Sequence, residues 1–272
     1  MNNEQFNQLV KKTKALSLQA IHNAGSGHPG GCLSVAEILC HLYFRELRNH
    51  PEAEPGNYDP SSPQRDICIL SKGHAAPMLY AVLSQLDNPP ITEEEVLRLR
   101  KMGARAQGHP SLSWLKAVET STGSLGQGAA VAVGMAVALQ GSGRRVYCVV
   151  GEGDLAEGVT VETARFATGN NLFNLIFVLD YNGKQSDQFS RDYVEELDSI
   201  MPVTYRRHGV GGGDGLLKLS YDNWEWGNTP QFVVVDTIKG SGVTYMENDL
   251  GGYHGSVVLS DKELGAAIKE LS

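Results

Sequence analysis

Two uninterrupted apolar runs, Val146-Tyr147-Cys148-Val149-Val150 and Leu175-Ile176-Phe177-Val178-Leu179, constrain this chain more than any other feature. A strand with one wet face alternates apolar and polar residues, whereas a strand apolar at every position must be covered on both faces. Between the runs lie a glycine turn, Gly151-Glu152-Gly153-Asp154, and a helical stretch to about Thr168. That is a strand–helix–strand unit, which joins parallel neighbours. Ile67 to Leu70 and Phe232 to Val235 read as further buried strands. The pattern predicts an α/β fold: a doubly wound, mostly parallel sheet with helices on both faces. With no internal repeat and no linker, residues 1–272 read as a single domain.

Helical periodicity predicts a first helix from about Glu4 to Asn23, ended by the turn Gly25-Ser26-Gly27-His28-Pro29-Gly30-Gly31. Ser34 and Glu37 have the spacing of a capping box, as do Thr92 and Glu95, and each pair is expected to open a helix. Gly126 to Leu139 is Ala-rich and apolar all round, which predicts a buried helix. Residues 202–230 are irregular and suggest no element.

Composition excludes several functions. The 272 residues carry 23 Lys+Arg against 31 Asp+Glu, a net charge of −8, and this acidic balance argues against a nucleic-acid partner. The longest apolar stretch, Ala129 to Leu139, falls short of the ~20 residues a membrane span needs. The N-terminus MNNEQFNQLVKKTK has no apolar signal-like core. Cys32, Cys40, Cys68 and Cys148 lack metal-ligand or disulfide-framework spacing and read as reduced core thiols. A soluble, cytoplasmic protein is the expectation.

Glycine, at 31 residues, is above its ~7% background, and it clusters where strands end. Ligands of open parallel sheets lie outside the carboxyl ends of the strands. Glu152 and Asn182 each follow an apolar run, one strand–helix–strand unit apart, and so emerge at the same edge of neighbouring strands. A carboxylate, an amide oxygen and a turn carbonyl there suit a hard cation, Mg²⁺ or Ca²⁺, completed by phosphate oxygens. Three histidines directly follow glycine, His28, His74 and His109, and His254 directly precedes Gly255. None has zinc-like spacing, so donors to an anion or a developing alkoxide fit them better. His22, His41 and His50 have no glycine beside them, and these and His208 read as structural or solvated. Thr122 to Gly128 offers backbone groups and Leu125 to a flat ring. A nicotinamide-dependent dehydrogenase is the rival enzyme class, but the third glycine is misplaced and Asp180 leads into Asn182-Gly183.

Together these segments resemble the thiamine-diphosphate-binding half of transketolase, as the N-terminal subunit of a split enzyme would. The resemblance rests on Ser26-Gly27-His28-Pro29-Gly30, Ser71-Lys72-Gly73-His74-Ala75-Ala76-Pro77, Gly108-His109-Pro110 and Thr122 to Gly128. The Gly151…Asn182 segment, Thr237-Ile238-Lys239-Gly240-Ser241-Gly242-Val243 and His254-Gly255 complete it. It implies a thiamine-diphosphate-binding fold and transfer of a two-carbon ketol from a ketose to an aldehyde. His28 and His109 would face the substrate as catalytic groups, and His74 and His254 the cofactor diphosphate. Gly123, Ser124 and Leu125 would touch the cofactor rings, with Gly151, Gly153 and Asn182 also at the cofactor. Glu152, Asn182 and the Lys184 carbonyl would bind the cation. Glu157 would lie towards an interface joining two active sites.

The sequence departs from the family in three ways. The first metal ligand is normally Asp, and here Glu152 stands in that place with Asp154 two residues on. Residues 202–231 are short. The pyrimidine-binding and C-terminal domains are absent, so the resemblance implies a partner subunit that supplies them, two copies of each chain forming a heterotetramer. Alternatives on the same platform are a deoxyxylulose-phosphate-synthase-like or acyloin-forming enzyme, or a non-catalytic cofactor-binding paralogue.

Overall fold

A computed structural model describes residues 1–183, 190–207, 229–249, 253 and 255–272. The chain enters through α1 (Asn3–Ala24), closed at its start by Asn2 and Gln5, which satisfy each other's backbone N–H groups. It stops at Gly25, whose φ of 71° is the left-handed conformation that ends helices. The next helix, α2 (Pro29–His41), starts five residues before the Ser34 at which the sequence suggested a cap. Proline at the first helical position sets φ and forgoes an N–H that would have no partner there. Ser34 and Glu37 therefore lie inside the helix, and they do not form a capping box. Ser34 donates to Asp180 at 2.6 Å, and Glu37 accepts from Lys14 of α1 at 2.6 Å.

After β1 (Ile67–Leu70) come α3 (Ala76–Leu83) and the short α4 (Glu93–Val96), which opens with the expected Thr92–Glu95 box. Helix α5 (Gln127–Ala138), β2 (Val146–Gly151), α6 (Glu152–Leu155), α7 (Gly158–Gly169) and β3 (Leu175–Tyr181) form the central unit. Helix α8 (Ser190–Asp198), β4 (Val203–Arg207), β5 (Gln231–Asp236), α9 (Thr244–Glu247) and α10 (Asp261–Leu271) follow. Strand β4 occupies part of the stretch in which the sequence showed no element; residues 208–228 lie outside the described residues.

The described strands form one five-stranded sheet in the order β1-β2-β3-β5-β4, and every pair is parallel. Side chains alternate between its faces. Cys68, Leu70, Tyr147, Val149, Ile176 and Val178 enter a core shared with α1, α2 and α3. Ile69, Cys148, Val150, Phe177 and Leu179 enter a second core with α5, α7 and α8. Covering both faces explains the unbroken apolar runs, since each fully buried aliphatic side chain contributes ~1.5–3 kcal/mol. The four cysteines are free and buried.

Helix α5 corrects one expectation. Ala129, Ala132, Val133 and Ala136 are buried, but Val131 and Val137 on its other face are 36% and 44% exposed. Phe166 of the adjoining α7 is 51% exposed. The helix is apolar all round, yet this chain covers only half of it. Among the described residues no helix is long and apolar enough to cross a membrane.

Candidate active site

The carboxyl ends of β1, β2 and β3 open on a cavity of about 500 Å³. Pairing of Gly151 with Asp180 places the turns after β2 and β3 side by side. From the first turn Glu152, buried to 4% exposure, reaches across so that Oε2 accepts from the N–H groups of Asn182 and Gly183, both at 3.1 Å. The carboxylate and the amide-bearing residue that the sequence placed at one edge are thus in contact.

Asp154, two residues on, has a different task. Its Oδ1 accepts from Ser71 Oγ at 2.6 Å and Gly126 N at 2.8 Å, and its Oδ2 from Gly151 N at 2.8 Å. It is fully buried, and burial, the largest influence, raises its pKa against the lowering effect of these donors. Asp154 knots together the ends of β1 and β2 and the start of α5. The shorter acid suits this closed space; the longer one spans to the neighbouring strand.

Among the described residues three histidines line the cavity. His28 caps α2, and its ring lies 5.2 Å from that of His74, centroid to centroid. His74 sits in a single 3₁₀ turn, Gly73–Ala75, directly after β1. Burial first, then the nearby charges of Lys72 and of the other basic groups, push its pKa down to about 2, so it is neutral at physiological pH. His109 is more exposed; burial and then Arg100 hold its pKa below the usual imidazole value. Its carbonyl accepts from Tyr80 Oη at 3.1 Å.

Glycines permit these loops to approach. A Cβ on Gly73 would come within 2.8 Å of Gly123 N, and one on Gly123, at φ 149°, would crowd the His109 ring at 3.1 Å. A Cβ on Gly153 would meet Leu125 Cδ1 at 3.1 Å, so Leu125 stands directly over that glycine.

The sequence candidates divide as follows. His28, His74, His109, Gly123 and Leu125 share the cavity wall with Gly151, Glu152, Gly153, Glu157 and Asn182. Ser124 lies outside that wall. Lys184 and His254 lie outside the described residues, although Gly255 lines the cavity. The adjoining segment is brought there by Val257, whose N–H donates to the Gly27 carbonyl at 2.8 Å.

Two lysines were missed by sequence reasoning. Lys72 is 1% exposed and its ammonium pairs with Asp180, which also accepts from Ser34 and Thr237. Lys239, 8% exposed, packs so closely that a Cβ on Gly30 would meet its Cγ at 3.1 Å. Both stand in segments, Ser71 to Pro77 and Thr237 to Val243, that the resemblance had already marked. Their position directly before Gly73 and Gly240 was the signal available.

The donor set suits an anionic, metal-assisted ligand. Lysine and imidazole groups line the cavity together with the carboxylates of Glu152, Asp154 and Glu157 and the amide of Asn182. Among the described residues no three His, Cys, Asp or Glu side chains form a metal centre by themselves. A divalent ion here would need oxygens from its ligand, as Mg²⁺ commonly does with phosphates.

Comparison with known proteins is decisive. The family model for the transketolase thiamine diphosphate binding domain matches residues 5–271. The chain belongs to the transketolase family. It is 36% identical to human transketolase over 251 residues, spanning 90% of this chain but only 39% of that protein. Two relatives match it along nearly their whole length. One, at 32% identity and 93% of its own length, is a 6-deoxy-6-sulfo-D-fructose transketolase subunit of a Clostridium species. The other, at 34% identity and 98% of its own length, is an apulose-4-phosphate transketolase subunit of Actinobacillus succinogenes. Campylobacter jejuni transketolase superposes with a TM-score of 0.79 at 25% identity, over 100% of this chain and 43% of that one. Pichia stipitis transketolase in complex with sedoheptulose 7-phosphate gives 0.79 at 27% identity, over 97% and 41%.

Proposed function

We propose that this chain is the cofactor-holding, N-terminal subunit of a split transketolase. It transfers a two-carbon ketol unit from a ketose to an aldehyde and is active only with a separate C-terminal subunit. The observation that carries this reading is the cavity at the strand ends, where Glu152 meets Asn182 and His28, His74 and His109 share the wall.

Thiamine diphosphate, when bound, supplies the nucleophilic carbon that breaks and remakes the carbon–carbon bond. The chain's residues bind and orient it. Glu152 and Asn182, with the Lys184 carbonyl, hold Mg²⁺, or Ca²⁺ in its place, against the diphosphate. His74, Lys239 and His254 grip that diphosphate, and Gly151 and Gly153 let it approach the backbone. Gly123 and Leu125 form the platform for the rings, with Ser124 outside the cavity wall. His28 and His109 face the substrate. A neutral His109 is able to take a proton from a sugar hydroxyl and return it, a role that contributes ~10²–10⁴-fold in rate.

A partner subunit is supported by the two relatives of matching length, both named as subunits. It is supported too by the exposure of Val131 and Val137 on α5 and of Phe166 on the adjoining α7, because apolar side chains exposed on neighbouring helices suit a protein contact. Glu157, exposed at the cavity rim, faces the same partner. Two copies of each subunit form the assembly, with two active sites. Calorimetric titration of thiamine diphosphate into the complex tests the cofactor site. Binding should require Mg²⁺ and disappear in Glu152→Ala and Asn182→Ala. Metal-independent binding that both variants retain would overturn the assignment.

A further inference from the structure

Arg100 stands behind the cavity wall and touches both loops that carry the substrate-side histidines. It follows α4 with a φ of 60°, a left-handed conformation that non-glycine residues seldom adopt. Its backbone N–H donates to the Ala106 carbonyl at 2.9 Å, which closes the turn. The flanking segment is fastened to the end of α1: Lys101 Nζ donates to the Asn23 carbonyl at 2.6 Å, and Asn23 Nδ2 to the Leu97 carbonyl at 3.4 Å. From this anchor the guanidinium extends to the next loop, where Nη1 donates to Ser26 Oγ at 2.8 Å, two residues before His28.

The same guanidinium lies against Gly108, the neighbour of His109. A Cβ on Gly108 would come within 2.8 Å of Nε and 3.3 Å of Cζ. Glycine at 108 is thus what leaves room for Arg100. The Nε–H is buried and has no acceptor among the described residues. Native interiors rarely leave such a donor unpaired, so pairing alone does not explain why the side chain is held here.

We propose that Arg100 is the positioning residue of the substrate-side histidines, a brace that ties the Ser26–His28 loop to the Gly108–His109 loop and sets their spacing. The proposal rests on the reading of His28 and His109 as groups that meet the substrate. A second consequence concerns charge. The basic groups facing His109 are Arg100 and the neutral His74, while Tyr80 contributes a hydroxyl to the His109 carbonyl. A permanent cation on one side disfavours a second one on the imidazole, and so His109 stays available as a proton acceptor.

The test compares Arg100→Met, Arg100→Lys and Gly108→Ala in the full chain. Histidine-ring NMR titration should show the His109 midpoint moving up in Arg100→Met and staying near its original position in Arg100→Lys. In the complex with the C-terminal subunit, Arg100→Met and Gly108→Ala should lower kcat by up to ~100-fold, the scale of a small misplacement of catalytic groups, at unchanged thiamine diphosphate affinity. An unshifted His109 midpoint in folded Arg100→Met overturns the proposal, and so does an unchanged kcat. Arg100→Gln is read the same way if Arg100→Met does not fold. If the wild-type complex transfers no ketol, the proposed function fails, and the NMR titration still decides the role of Arg100.

Discussion

Replacing Asp154 by alanine separates the acid that holds the site together from the acid proposed to hold its ligand. The substitution removes the acceptor for three buried donors: Ser71 Oγ, Gly126 N and Gly151 N. The serine hydroxyl can rotate to another acceptor, but the two amides are fixed in the backbone. A buried donor left unpaired costs ~1–3 kcal/mol, giving about 2–6 kcal/mol for the pair. Burial already raises the Asp154 pKa, so removing the acid also relieves an opposing cost. The expected loss is therefore in the lower half of the range, about 2–4 kcal/mol out of the ~5–15 kcal/mol typical of a domain. Glu152→Ala frees two amides as well, but those of Asn182 and Gly183 lie in a loop that water reaches. Its cost should be under about 1.5 kcal/mol. Urea unfolding followed by circular dichroism reads both values as midpoint shifts at constant slope. If Asp154→Ala unfolds within about 1 kcal/mol of wild type and Glu152→Ala is the more damaged, the division of labour between the two acids is wrong.

Three further outcomes follow from the same geometry. The folded-state pKa of His74, about 2, lies below its ordinary 6.5, so the unfolded chain takes up the proton first and stability falls as pH drops from ~6.5. At most ~1.4 kcal/mol is lost per pH unit, and His74→Gln should flatten that acid limb in denaturation curves between about pH 4 and 6.5. Lys72→Met leaves the Asp180 carboxylate buried without its cation and should cost ~3–5 kcal/mol, measured by chemical denaturation. Phe166→Glu on the exposed apolar face should weaken association with the C-terminal subunit by at least ~2 kcal/mol in a binding titration, while the isolated chain keeps its stability.

The central strands and the ligand edge were legible because both rest on local pattern. An apolar run such as Val146 to Val150 has one stable environment, and glycine-rich turns after two such runs must meet at one edge. Strand β4 was not legible, since it ends the sheet and needs no double covering; Tyr205 on it is largely exposed. The box at Ser34 and Glu37 misled because the spacing of two residues does not reveal that Pro29 has already begun the helix. Their real partners, Asp180 and Lys14, are distant in sequence. Lys72 and Lys239 escaped notice for a similar reason: lysine is ordinarily solvated, and only the packed fold shows these two buried. Helix α5 reads as buried from composition, but composition does not show how much of the helix this chain itself covers. Glu152 and Asp154 carry the same chemistry two residues apart, so their tasks separate only in three dimensions.

The most direct test is steady-state ketol transfer with thiamine diphosphate, Mg²⁺ and a panel of ketose donors. The chain is assayed alone and then as the C-terminal subunit is titrated in. The expected result is no turnover from the chain alone and activity that rises to saturation at one partner per chain. Full turnover without the second polypeptide would contradict the split-enzyme reading, and so would an inactive assembly shown to contain both subunits and bound cofactor.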